Sequence, residues 1–204
     1  MEIKKLALFD FDGVLVDTLG IAYGINVEAQ PDLSLETYKS FFEGNIHDAI
    51  KDGKKRHIPD FDEKALAQTR EIKIPEALRQ MVAEISKYSV LTIVSSSTTR
   101  LITGIIEKEG LMPYFNDILG SDVHTSKVEK VKTLLAKYSV SPDDAVFITD
   151  TLGDIREAEK CGVKSIAVTW GFHEESTLAK GNPVQIVHTP EELLHAIERA
   201  FMVK

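Results

Sequence analysis

A handful of short apolar runs, separated by stretches of helical spacing, limits this chain to very few folds. The strongest runs are KKLALFD at 4–10, YSVLTIVS at 88–95, DDAVFITD at 143–150 and KSIAVTW at 164–170, with weaker ones, NDILGS and PVQIVH, beginning at Asn116 and Pro183. Continuous rather than alternating apolarity marks strands buried on both faces, which is the habit of a parallel sheet. Helical patterns occupy 75–87, 98–109, 127–138, 152–161 and 190–202. Strand alternating with helix demands right-handed crossovers and puts helices on both sides of the sheet. The predicted class is α/β, a doubly wound parallel sheet.

One stretch breaks the alternation. Between residues 19 and 74 there is no buried strand, while SLETYKSFFEG, HDAIKDGKKRH and FDEKALAQTREI carry helical spacing, with Ser34 and Asp62 as start signals. The expected organisation is a main domain of residues 1–18 and 75–204, with a small helical cap at 19–74 inserted after the first strand. A chain of 204 residues can build one core and such an insertion. The first residues offer only a short apolar run interrupted by aspartates, read as neither signal peptide nor membrane span, so a cytoplasmic location is expected. Acidic residues outnumber basic ones 32 to 24, without a block of like charge, which argues against nucleic-acid or anionic-membrane partners. The densest basic run, Lys54-Lys55-Arg56, reads as a solvated helix end. The lone Cys161 excludes an internal disulfide and reads as a small buried residue at a helix end. No histidine or cysteine spacing suggests zinc.

In an open α/β sheet the ligand site lies beyond the carboxyl ends of the strands. The first strand ends in Asp10-Phe11-Asp12-Gly13, the second in Ser95-Ser96-Ser97, and a later one in Asp150, followed by Asp154. If the first strand is flanked by the other two, these groups meet in one crevice. Four carboxylates there would repel one another unless a pKa rises or a cation binds. Carboxylate and carbonyl oxygens suit magnesium, and magnesium beside a free carboxylate suits phosphoryl transfer.

The string DFDGVLVDT, a serine closing the second strand, a lysine opening a later helix and the aspartate pair of TDTLGD together resemble the haloacid dehalogenase superfamily. Within it, the chain is most similar to the phosphoglycolate phosphatase and beta-phosphoglucomutase branch. The resemblance implies a Rossmann-like core with a cap. Asp10 would attack phosphorus to form an aspartyl-phosphate, while Asp12 would protonate the leaving oxygen and then activate water. Magnesium (Mg2+) would be held by the Asp10 carboxylate, the Asp12 backbone carbonyl and Asp150, with Asp154 supporting its water shell or the lysine. Ser95 would donate to the phosphoryl group, with Ser96 beside it. Lys127 would neutralise charge there, although Lys130 and Lys132 stand close by and the usual lysine-proline pair is absent. Gly13 would turn the backbone so that amides face the phosphate. Thr149 stands where the family usually has glycine.

The implied activity is a magnesium-dependent phosphatase acting on a small phosphorylated metabolite. Two alternatives stay open: a phosphomutase acting on a sugar phosphate, in which Asp12 serves equally well, and a non-catalytic phosphate-binding regulatory protein. Dehalogenation needs neither the metal nor an acid at position 12. Gly44, Asn45 and His47, in a turn of the insertion, are the expected substrate readers, with an ordinary helix connection capped by Asn45 as the competing reading. Oligomeric state is not legible.

Overall fold

The computed structural model describes residues 5–202; the Lys4 start of the first strand and both chain ends of the expected main domain lie outside the described residues. Six parallel strands form one sheet: β1 Leu6–Phe9, β2 Val90–Val94, β3 Asp117–Leu119, β4 Ala145–Thr149, β5 Lys164–Val168 and β6 Gln185–Val187, in the order β3-β2-β1-β4-β5-β6. β1 is therefore central, with Phe9 level with Ile93 of β2 and Ile148 of β4. The strand order reverses at β1, so its carboxyl end opens on the crevice where an α/β sheet binds ligands.

The unalternating apolar runs have a direct cause. Ala7 and Phe9 face a core built with α5 (Glu76–Ile85), α6 (Thr99–Lys108) and α10 (Pro190–Met202), whereas Leu6 and Leu8 face α7 (Lys127–Tyr138) and α8 (Leu152–Lys160). All four side chains are fully buried, each worth about 1.5–3 kcal/mol for the larger ones. A sheet covered on both faces leaves polar groups only at the strand ends.

Between β1 and α5 lie α1 (Leu19–Ala29), α2 (Leu35–Ser40), α3 (Ile46–Lys51) and α4 (Phe61–Gln68). Ser34 caps α2 as expected, its hydroxyl accepting from the Thr37 N–H. Asp62 does not begin α4; Asp60 does, and Asp62 in the first turn accepts a 2.6 Å bond from the Thr98 hydroxyl of the main sheet. The α1 helix carries no sequence signal, because it lacks a side-chain cap, contains Gly20 and Gly24 and has no concentrated apolar face. The single turn α9 (Glu175–Leu178) was equally unmarked. Phe172, from the loop after β5, joins an aromatic cluster of the insertion and meets Phe42 edge-on at 4.9 Å between ring centroids. Among the described residues, no helix is long and apolar enough to cross a membrane.

Candidate active site

Asp10 follows the last residue of β1, and its N–H donates to the Ile148 carbonyl at 2.9 Å, which extends the ladder by one step and fixes the side chain at the sheet's end. Its Oδ1 accepts from the Phe11 N–H at 2.7 Å, and its Oδ2 lies 2.9 Å from Lys127 Nζ. The same ammonium is 2.7 Å from Asp154 Oδ2, which also accepts from the Thr149 hydroxyl at 2.8 Å. Asp154 is held by the α8 cap, where Thr151 Oγ accepts from its N–H. Thr149, the departure from the family's glycine, thus orients Asp154 from the end of β4.

Three buried acids share one lysine. Burial opposes ionisation of Asp154, but Lys127 and the Thr149 hydroxyl overcome it and hold this carboxyl below the ordinary range. Burial pushes Asp10 well above that range; attraction to Lys127 offsets only part of this, and Asp154 and Asp150 add repulsion. Burial likewise pushes Asp150 up to about 7, against the pull of the Phe172 N–H and with a further push from Asp154. Lys127 thus stands between Asp154 and Asp10, while burial holds Asp10 and Asp150 above the ordinary carboxylate range. Asp150 Oδ2 accepts from the Phe172 N–H at 2.7 Å, whereas the buried Asp150 Oδ1 has no partner. A divalent cation would fit this arrangement, bringing charge to match two carboxylates and a partner for the orphan oxygen. Among the described residues no three acidic, histidine or cysteine side chains group to hold a metal by themselves. Magnesium is commonly bound through one or two carboxylates and keeps several waters.

Asp12 is partly exposed and faces another way. Its Oδ1 accepts from the Thr18 hydroxyl at 2.7 Å, and its Oδ2 from the Ser97 and Ser95 hydroxyls at 2.7 and 3.2 Å. Ser95 is fully buried, and its hydroxyl is spent on Asp12 and on the Ser97 N–H it accepts, while Ser96 and Ser97 line the cavity. Gly13 donates its N–H to the Val16 carbonyl at 2.7 Å, which closes the turn after β1. Its φ of +75° and the position of an added Cβ, 1.9 Å from Asp150 Oδ2, show why glycine stands there: the backbone passes against the acid.

Lys127 and Lys130 divide cleanly. Both are buried, but Lys130 Nζ donates to the carbonyls of Ser95 and Gly120 at 2.5 and 3.3 Å, tying together the ends of β2 and β3. Burial and the like charge of Lys127 lower it to about 8. Lys127 alone meets the acids, and they hold its pKa above the ordinary lysine value despite burial.

The site opens into a cavity of about 300 Å³ between the strand ends and the insertion. Gly44, Asn45 and His47 all line it. Asn45 does cap α3, its Oδ1 accepting from the His47 N–H, and its amide also donates to Glu157 Oε1 and the Thr125 carbonyl, each at 3.1 Å. Glu157 accepts in addition from the Lys127 N–H, so one carboxylate joins the turn to the helix that carries the lysine. An added Cβ on Gly153 would sit 2.4 Å from the Gly44 carbonyl, a contact that only glycine permits. Lys55 departs from the solvated reading of its run: it is 8% exposed and lines the cavity. Cys161 is half-buried, its thiol raised by burial.

His173 is a buried tie between the two parts. Its Nδ1 accepts from the Leu152 N–H at 3.0 Å, so the ring proton sits on Nε2, which donates to the Lys39 carbonyl at 2.9 Å. Protonation would break the first bond. Burial lowers its pKa, outweighing the favourable Lys39 carbonyl and Glu43. Its contribution is therefore complete above the ordinary value of 6.5 and is lost as pH falls from there towards the lowered folded value. We expect His173→Gln to cost about 1–3 kcal/mol at pH 7.5 and distinctly less at pH 5.5, read by urea unfolding of magnesium-free protein. An equal deficit at both pH values would remove this role.

The model of the haloacid dehalogenase-like hydrolase family matches residues 7–168. The chain belongs to this family. A phosphoglycolate phosphatase of Synechococcus elongatus is 23% identical, with 93% of this chain and 95% of that one covered. A phosphoglycolate phosphatase of Vibrio parahaemolyticus is 22% identical over 95% and 96%. Among solved structures, a haloacid dehalogenase-like family hydrolase from Streptococcus pneumoniae superposes with a TM-score of 0.78 at 23% identity, covering 96% of this chain and 99% of that one. This likeness shows the shared fold of a family hydrolase. Thr149 was noticed only as a departure from the family's glycine, and Thr151, Thr18, Glu157 and His173 were missed from sequence. Of these, only Thr151 carried a signal, a cap position three residues before Asp154.

Proposed function

We propose that this hydrolase is a magnesium-dependent phosphatase that moves the phosphoryl group of a small phosphorylated metabolite first to Asp10 and then to water. One observation carries the reading: a buried carboxylate at the end of the central strand, 2.9 Å from a buried ammonium, at the floor of a cavity that also admits Asp12. The names of the phosphoglycolate phosphatase relatives support it. Asp10, the Asp12 carbonyl and Asp150 would hold the magnesium, which when bound supplies positive charge to the equatorial oxygens and to Asp10.

The residues then act as follows. An Asp10 oxygen bonds to phosphorus as the ester P–O bond breaks, and the departing oxygen takes a proton from Asp12. Water next attacks phosphorus, gives its proton back to Asp12 and displaces Asp10, which leaves inorganic phosphate. Thr18, Ser95 and Ser97 keep the Asp12 carboxyl aimed throughout, and Lys127 holds the Asp10 oxygen in place. The insertion, acting as a cap, excludes water from the first step. Purified protein assayed on a panel of phosphomonoesters is expected to release phosphate with magnesium and to lose at least about 100-fold with chelator. Unchanged release in chelator would overturn the metal dependence, and no release from any ester would overturn the phosphatase reading.

A further inference from the structure

The roof of the cavity is not neutral in what it asks of a ligand. Ile21, Tyr38, Phe42, Ile50, Ile58 and Phe61 give it an apolar surface. Set among them is Lys55, whose ammonium makes a single 3.3 Å bond to the Arg56 carbonyl and has no ion-pair partner among the described residues. Lys127, by comparison, holds two carboxylates, and Lys130 holds two carbonyls. The roof carboxylate of Asp62 is engaged by Thr98. An ammonium kept out of water without a counter-charge is costly, and burial lowers the Lys55 pKa accordingly. Near it, His47 Nε2 is buried with no hydrogen bond of ordinary geometry. His47 lines the same cavity as Lys127 and Lys55 and feels the charge of both.

We propose that the leaving portion of the substrate is an apolar body, ring- or chain-like, that ends in a carboxylate bound by Lys55, with His47 alongside. This rests on the phosphatase reading and adds the substrate class to it. A sugar would bring several hydroxyls to a roof that is mostly apolar and whose Asn26 and Thr69 already donate to the Ala22 and Leu66 carbonyls. A second phosphate would bring two charges to a single ammonium with no arginine fork beside it. Glycolate would bring the carboxylate, but its one methylene gives six large side chains almost nothing to cover.

The test compares phenyl phosphate, its meta- and para-carboxylated forms and phosphoglycolate, with magnesium, on wild type, Lys55→Met, Lys55→Gln and Lys55→Arg. In wild type, kcat/KM is expected to be at least about tenfold higher for a carboxyphenyl phosphate than for phenyl phosphate, and higher than for phosphoglycolate. That preference should fall to about unity in Lys55→Met and Lys55→Gln and survive in part in Lys55→Arg. A wild-type ratio near one, or a ratio unchanged by both neutral variants, overturns the carboxylate assignment. A preference for phosphoglycolate overturns the apolar body. If one neutral variant does not fold, the other and the wild-type ratio still decide. If wild type hydrolyses none of these esters, calorimetry with hydroxybenzoate and phenol separates the two readings. Hydroxybenzoate binding that weakens at least about tenfold in the neutral variants keeps the Lys55 site without the phosphatase, and no preference over phenol removes it.

Discussion

Asp10→Asn is expected to abolish phosphate release, by at least about three orders of magnitude, while leaving the magnesium-free protein no less stable than wild type. The first half follows from the nucleophile: an amide in the same place cannot form the acyl-phosphate, and residues that act as a unit lose nearly everything when one is removed. The second half follows from the electrostatics. Asp10 resists ionisation in its buried position, so the native state gains little from a carboxyl there that an uncharged amide would not supply. The Phe11 N–H still finds an oxygen acceptor, and Lys127 still has Asp154. Phosphate release and urea unfolding of the same preparation check the two halves together. Residual turnover above a few per cent would remove the nucleophile role. A large loss of stability would mean that the acid is there to hold the fold.

How much of this was legible beforehand depended on the range of the interaction. The sheet was readable because burial on both faces erases alternation locally, so KKLALFD and DDAVFITD announce themselves within a few residues. Lys127–Tyr138 and Pro190–Met202 matched the predicted helices to the residue, since each has a firm start in sequence and an amphipathic repeat. Asp10, Asp12, Asp150 and Asp154 were visible as strand-end acids, and the reversal of strand order at β1 places the strands that carry them side by side. What sequence could not show was whatever depends on a partner far along the chain. Ser95 reads as a phosphate donor until Asp12, 83 positions away, is seen to take its hydroxyl. Gly13 reads as an anion-binding turn until the Asp150 carboxylate is found against its Cα. Lys55 looks solvated in a basic run, because nothing in KKRH shows that its neighbours in the fold are the isoleucines of a cavity roof. The α1 helix lacked even a local signal, since its exposed strip carries Gly20 and Gly24 where charged residues would mark an outer face, and its buried side includes Asn26.

Lys127→Ala should be costly on two axes at once, and the pairing distinguishes it from every other lysine in the chain. On the catalytic axis, removing a charge aimed at Asp10 and the transferring group is expected to lower kcat/KM by about 100- to 1,000-fold or more. On the stability axis, it leaves Asp154 Oδ2 with only the Thr149 hydroxyl, and three buried acids with no cation, for an expected loss of about 3–5 kcal/mol. Part of that loss is avoided if Asp154 takes up a proton, so the variant should regain stability as pH falls below neutrality, where the wild type has no such reserve from this group. Magnesium should restore stability more in the variant than in the wild type, because added positive charge then replaces what the lysine supplied. Lys130→Ala loses two bonds to carbonyls, about 1–3 kcal/mol, and no direct contact with the acids, which its charge reaches only from a distance. Urea unfolding of both variants with and without magnesium, beside their kcat/KM on one ester, gives the comparison. If Lys130→Ala were the catalytically crippling change and Lys127→Ala were mild, the ammonium near Asp10 would be a structural counter-charge and the phosphoryl group would be gripped from the end of β2.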